Sequence, residues 1–274
     1  MDKIIKQYIE TTELQLQKQL ERFFLSVYPE NRLISHGIAH HRRVWKHALE
    51  LIIMKNDPEY LSPDFLRNLI TACFLHDIGM AEDHGFNHGL TGKKKCLEFL
   101  SVSSMDPSEF DIALEAIEYH DNKNYNDQHV SNKVLHILSL ADDLDAYGFT
   151  GIYRYADIYL RRNIDPSVIG PLIRMNAAGR FDNFRREKDL PENYRSSQNE
   201  RYRILDDFFA EYEKELLTYS FGNEVPSGYC GVVYIILNTI KNENEADFST
   251  ILHKYSNNKI INWFLGGYLS EIAV

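Results

Sequence analysis

Apolar residues recur at three- and four-residue spacing along almost all of the 274 residues, whereas sustained period-two alternation is hard to find. That pattern restricts the chain to an all-α fold, because a stripe repeating every 3.6 residues is gathered by a helix and scattered by a strand. Several helix ends are written in the sequence. Ser62-Pro63 supplies a cap and an N1 proline ahead of FLRNLITACFLHDIG, with Gly79 as the expected stop. Asp106-Pro107-Ser108-Glu109 has the form of an N-cap with an N3 carboxylate, and Ser131 precedes VLHILSLADDLDAYG. The segment GYCGVVYIILNTI is open: periodicity allows a buried helix or a lone strand.

The length fits one large domain or a core with an appended subdomain. The expected division is a core over 1–165 with an N-terminal helix, followed by a helical C-terminal extension over 166–274 packed on that core. The character changes near 150: residues 150–205 hold eleven Lys or Arg against seven Asp or Glu, inside a chain of net charge −10. Such an acidic total argues against an extended nucleic-acid partner or an anionic membrane surface, but leaves room for a small phosphorylated molecule in a local basic pocket. The longest apolar stretch, Tyr229 to Leu237, is far short of the roughly 20 residues a membrane helix needs. Cys73, Cys96 and Cys230 are odd in number and widely spaced, which points to a reduced, cytoplasmic setting. The C-terminal helices are expected to complete the core or to form a homo-oligomer surface.

Eleven histidines would mean little if scattered, but several stand beside carboxylates or at helix ends in the first 145 residues. His76-Asp77 closes an apolar helix, and two adjacent ligands can serve one ion only where side chains splay at a helix terminus. Further nitrogen and oxygen ligands must come from other helices, since no H-x-x-x-H partner is nearby. His40 opens HHRRVWKHALELII, His88 begins the helix after the His76-Asp77 turn, and His120 closes another helix. Asp142 sits in the apolar context SLADDL, where an unpaired carboxylate would be costly.

In this order the pieces resemble the HD-domain superfamily of metal-dependent phosphohydrolases. They are His40-x-x-Arg43-Val44, Phe74-Leu75-His76-Asp77-Ile78-Gly79, His88-x-x-x-Gly92, Ile117-x-x-His120 and Ala141-Asp142-x-Leu144-Asp145-Ala146, followed by Gly148 to Arg154. The resemblance covers about residues 20 to 165. It departs at Met80, where many members carry Lys, and at Asp143, where some carry Arg.

The resemblance implies an HD-domain helical bundle in which His40, His76, Asp77 and Asp142 bind one divalent ion. His88 and His120 match the histidines that hold a second ion, with Asp77 bridging. Mixed imidazole and carboxylate ligands favour Mn or Fe, with Co, Ni, Zn or Mg as further candidates. The implied activity is hydrolysis of a nucleotide or related phosphate ester or anhydride by metal-activated water. Asp77 would position that water, and His84 or His120 would handle protons. Arg154 and Arg161 would meet the phosphate, with Asp145 and His36 completing the substrate contacts. Two rival expectations are a mixed-valent di-iron oxygenase of the same fold and a non-catalytic regulatory scaffold.

Overall fold

The computed structural model of the chain describes residues 3–28, 34–82, 88–122, 131–221, 225–242 and 248–273, and every regular element among them is helical. They fall into two compact units, Met1–Asp145 with Arg186–Pro191, and Ala146–Arg185 with Glu192–Val274. This division lies at 145/146. The reason is packing: Ile152, Tyr153, Ala156 and Leu160 belong to the apolar core of the second unit.

The first unit comprises α1 (Lys3–Thr12), a π-helical turn (Glu13–Gln17), α2 (Lys18–Val27), α3 (Ile38–Lys55), α4 (Pro63–Leu75), α5 (His88–Val102), α6 (Asp111–Tyr119) and α7 (Lys133–Asp145). Helix α4 is its centre, buried on all sides from Asn68 to Leu75 and packed against α1, α2, α3, α6 and α7. A helix apolar all round needs that position. Its start follows the sequence: Pro63 stands at the first turn and the Ser62 hydroxyl accepts from the Phe65 N–H at 3.2 Å. The Asp106 cap is also present, accepting from the Ser108 N–H at 3.0 Å, but it opens a 3₁₀ turn, Pro107–Phe110, that feeds α6.

Gly79 has a different role from the one expected. Helix α4 ends earlier, with His76 as its C-cap, and Gly79 lies in the 3₁₀ turn Ile78–Ala81, outside the left-handed region. Glycine is required there by close approach. A Cβ would come within 2.0 Å of the His88 carbonyl oxygen and 2.6 Å of the Gly92 nitrogen. The contact seats the turn after α4 directly on the first turns of α5.

The second unit comprises α8 (Gly148–Arg161), α9 (Pro166–Phe184), α10 (Glu192–Glu215), α11 (Gly228–Asn242), α12 (Phe248–His253) and α13 (Lys259–Ile272). The segment left open by periodicity is therefore helical, as α11. Its core joins Ile152 of α8 to Phe208, Phe209 and Tyr212 of α10, Val232 of α11 and Phe264 of α13. Helix α8 begins at Gly148 with φ 68°, and the Thr150 N–H donates to the Glu271 carboxylate at 2.7 Å. No helix among the described residues is long and apolar enough to cross a membrane.

Candidate metal centre

Five elements of the first unit converge on one carboxylate. Asp77 follows the end of α4 with φ −96° and ψ 5°, a sparsely populated bridge conformation. Its Oδ2 lies 3.3 Å from His76 Nε2 and 3.5 Å from His40 Nε2 of α3. Its Oδ1 lies 3.1 Å from His120 Nε2, at the end of α6, and 3.6 Å from His88 Nε2, at the start of α5. Asp142 of α7 joins the Oδ2 side, 3.7 Å from His40 Nε2. All six side chains are buried.

Two groups of three can therefore each hold a metal ion: His40, His76 and Asp142 on one side of Asp77, and His88 and His120 with Asp77 on the other. Donors 2.0–2.1 Å from a shared ion lie about 3 to 3.4 Å apart, close to the separations here. The imidazole contacts test the fit more sharply. His40 Nε2 faces His76 Nε2 at 3.2 Å, and His88 Nε2 faces His120 Nε2 at 3.2 Å. In three of these rings Nδ1 is engaged elsewhere: His40 with Asp145 at 2.7 Å, His76 with the Cys73 carbonyl at 3.0 Å and His120 with the Ile117 carbonyl at 2.7 Å. A neutral imidazole donating through Nδ1 presents a lone pair at Nε2. Across the His40–His76 gap both Nδ1 atoms are committed as donors, so two lone pairs face each other, and a cation between them resolves the conflict.

The electrostatics agree. Burial pushes the Asp77 carboxyl up, but the charge of His76 and the hydrogen bonds of His120, His40 and His76 outweigh it and hold it well below the usual range. Burial moves His76 down, toward the neutral form a ligand requires, although Asp77 opposes it. At His120 burial again disfavours charge, yet the hydrogen bond and charge of Asp77 prevail and raise it. Asp77 thus draws positive charge to this spot, whether a proton or a metal ion. His41 is not part of the set: burial, reinforced by His76 and His40, pushes it well down, and its Nδ1 donates to the Cys73 carbonyl at 3.0 Å.

A family model described as HD-CE matches residues 20–213, from within α2 to within α10. The chain belongs to the HD-CE family. Neither a curated protein nor a solved structure matches it.

The HD-CE chain thus gathers His40, His76, Asp77, His88, His120 and Asp142, the six residues named as ligands from the sequence. The residues expected at the substrate are distributed differently. Asp145 sits behind His40, not in front of it, accepting from His40 Nδ1 and from Arg43 Nε at 2.6 Å and Nη2 at 3.0 Å. His36 stands beside the cluster, its ring 5.5 Å from that of His40 and its Nδ1 2.8 Å from the Ser35 hydroxyl. Arg154 and Arg161 lie in α8 of the second unit, Arg154 buried and Arg161 paired with Asp157 at 3.0 Å. His84 lies outside the described residues. What sequence reasoning missed is the outer layer: the Arg43–Asp145 pair and the carbonyls of Cys73 and Ile117. The i, i+3 spacing of His40 and Arg43 on one helix was the available signal.

Proposed function

We propose that this HD-CE protein is a metal-dependent phosphohydrolase acting on a small phosphorylated compound, a nucleotide or a related phosphate ester or anhydride. The supporting observation is Asp77, whose two oxygens each face a separate pair of imidazoles. A pair of divalent ions, Mn or Fe by ligand type, would supply Lewis-acid polarisation of phosphoryl oxygens and a more acidic water. His40, His76 and Asp142 would hold one ion and His88 and His120 the other, with Asp77 shared between them.

The protein's own contribution is placement. The buried cluster excludes bulk water, so charges in it act at short range and little screened. Ionised Asp77 would orient the attacking water, and His120, with its Nδ1 tied to the Ile117 carbonyl, would keep its Nε2 directed at the second ion. Arg161, expected at the phosphate, is already committed to Asp157.

The test is metal analysis of the purified protein, followed by assay against a phosphatase and nucleotide panel in Mn²⁺, Fe²⁺, Co²⁺ and Mg²⁺. Two ions per chain and metal-dependent release of phosphate or pyrophosphate are expected. A mixed-valent di-iron EPR signal without hydrolysis would move the assignment to an oxygenase, and full helical content with no metal would leave a scaffold.

A further inference from the structure

One imidazole on each side of Asp77, His76 and His120, is backed by a backbone carbonyl, and the two sides differ in what stands behind the other. On the Oδ2 side, His40 Nδ1 meets the Asp145 carboxylate at 2.7 Å, and Asp145 is itself gripped through both oxygens by Arg43. Asp145 is wholly buried, and Arg43 only slightly exposed. On the Oδ1 side, His120 has a backbone carbonyl behind it, and His88 Nδ1 lies 3.9 Å from the carboxylate of Asp121, which is exposed. A carboxylate behind an imidazole fixes its tautomer and raises the basicity of its other nitrogen, whereas a carbonyl does so with no charge.

We infer that Arg43 and Asp145 are positioning residues that make the His40–His76–Asp142 position the tight one, filled first, and leave the His88–His120 position weaker and exchangeable. The inference rests on the metal-centre reading and deepens it. Arg43 is as necessary as Asp145. Its two N–H groups require oxygens on Asp145, and they hold Oδ2 against His40 Nδ1, so Nε2 keeps its lone pair for the ion. In Asp145→Asn an amide N–H must face either His40 Nδ1 or an Arg43 donor. One arrangement imposes the wrong tautomer on His40, and the other breaks the grip on it.

The experiment is calorimetric titration of chelator-stripped full-length protein with Mn²⁺, with bound manganese counted independently by elemental analysis. The wild type is expected to bind two Mn²⁺ in two resolved steps. Asp145→Asn should weaken the tighter step by roughly 10–100-fold, the usual effect of losing an outer partner, and leave the weaker one in place. His88→Ala should abolish the weaker step alone. Arg43→Gln, altered at the rim, should weaken the same tight step to a smaller degree and serves if Asp145→Asn loses its circular-dichroism signal. Unchanged titrations in Asp145→Asn and Arg43→Gln would overturn the inference while leaving the metal centre standing. Loss of the tight step in His88→Ala would reverse the assignment. A wild type that binds no Mn²⁺ would overturn the metal centre as well.

Discussion

The interiors of the two units are built from different materials. In the first unit His40, His76, His88, His120, Asp77, Asp142 and Asp145 are all buried, alongside apolar residues such as Leu69, Ile70 and Phe74. The second unit encloses an apolar and aromatic core around Phe208, Phe209, Tyr212 and Phe264. Buried imidazoles and carboxylates cost stability unless each is paired, so their concentration in the first unit supports the proposed metal chemistry, whereas the second unit buries fewer ionisable groups, Arg154 and Asp157 among them. The contrast predicts that damage to the first unit will strike metal content and activity, and damage to the second will strike stability.

The largest effect belongs to the bridging carboxylate. Asp77→Ala or His76→Ala should abolish activity and reduce metal affinity at least roughly a hundredfold, beyond the usual cost of losing an outer partner, with far-ultraviolet circular dichroism preserved. Elemental analysis and the hydrolysis assay check this together; full metal occupancy in both variants would show that the ligands are misassigned. The opposite signature is expected of Phe208→Ala in the second core, about 3–5 kcal/mol of lost stability by denaturant titration with manganese content per folded chain unchanged. Metal loss without destabilisation there would break the contrast.

A smaller, mixed effect is expected at Gly79. A Cβ at Gly79 would sit 2.0 Å from the His88 carbonyl oxygen, so Gly79→Ala must displace the turn that carries Asp77 from the helix that carries His88. About 1–3 kcal/mol of destabilisation should accompany weakened binding of the second ion, read by thermal melts with and without Mn²⁺. The smallest effect concerns the segment Arg186–Pro191. Glu187 joins Lys55 and is 3.3 Å from His136 Nε2. Burial raises its carboxyl, but the hydrogen bonds of His136 and Lys55 win and lower it to about 2. Because the folded value lies below the unfolded one, the stabilisation is present above the ordinary carboxyl range and is lost as pH falls toward 2. Glu187→Gln should remove about 1 kcal/mol or less at neutral pH, as for pairs still reached by solvent, and flatten the acid limb of the stability curve.

Much of this was legible because metal chemistry restricts residue types. His76-Asp77 at a helix end, His40 and His120 at others and Asp142 in an apolar helix are costly arrangements without an ion, and the structure brings them together. The division of labour between Asp142 and Asp145 was not legible. They lie three residues apart on α7, and only the fold shows that one faces His40 Nε2 and the other Nδ1. Which core α8 joins was hidden for a similar reason: α7 and α8 are separated by only two residues, and the basic stretch from 150 onward does not show which apolar core its helix packs into. Gly79 was recognisable as necessary, but as a helix stop; its close approach to His88 depends on a contact across the fold.

The central claim is that Asp77 joins two ions, each held by its own pair of imidazoles. An anomalous difference map from crystals grown with Mn²⁺ tests it most directly. Two peaks about 3.5–4 Å apart are predicted, one among His40, His76 and Asp142 and the other beside His88 and His120, with one Asp77 oxygen directed at each. A single peak, or peaks away from Asp77, would contradict it.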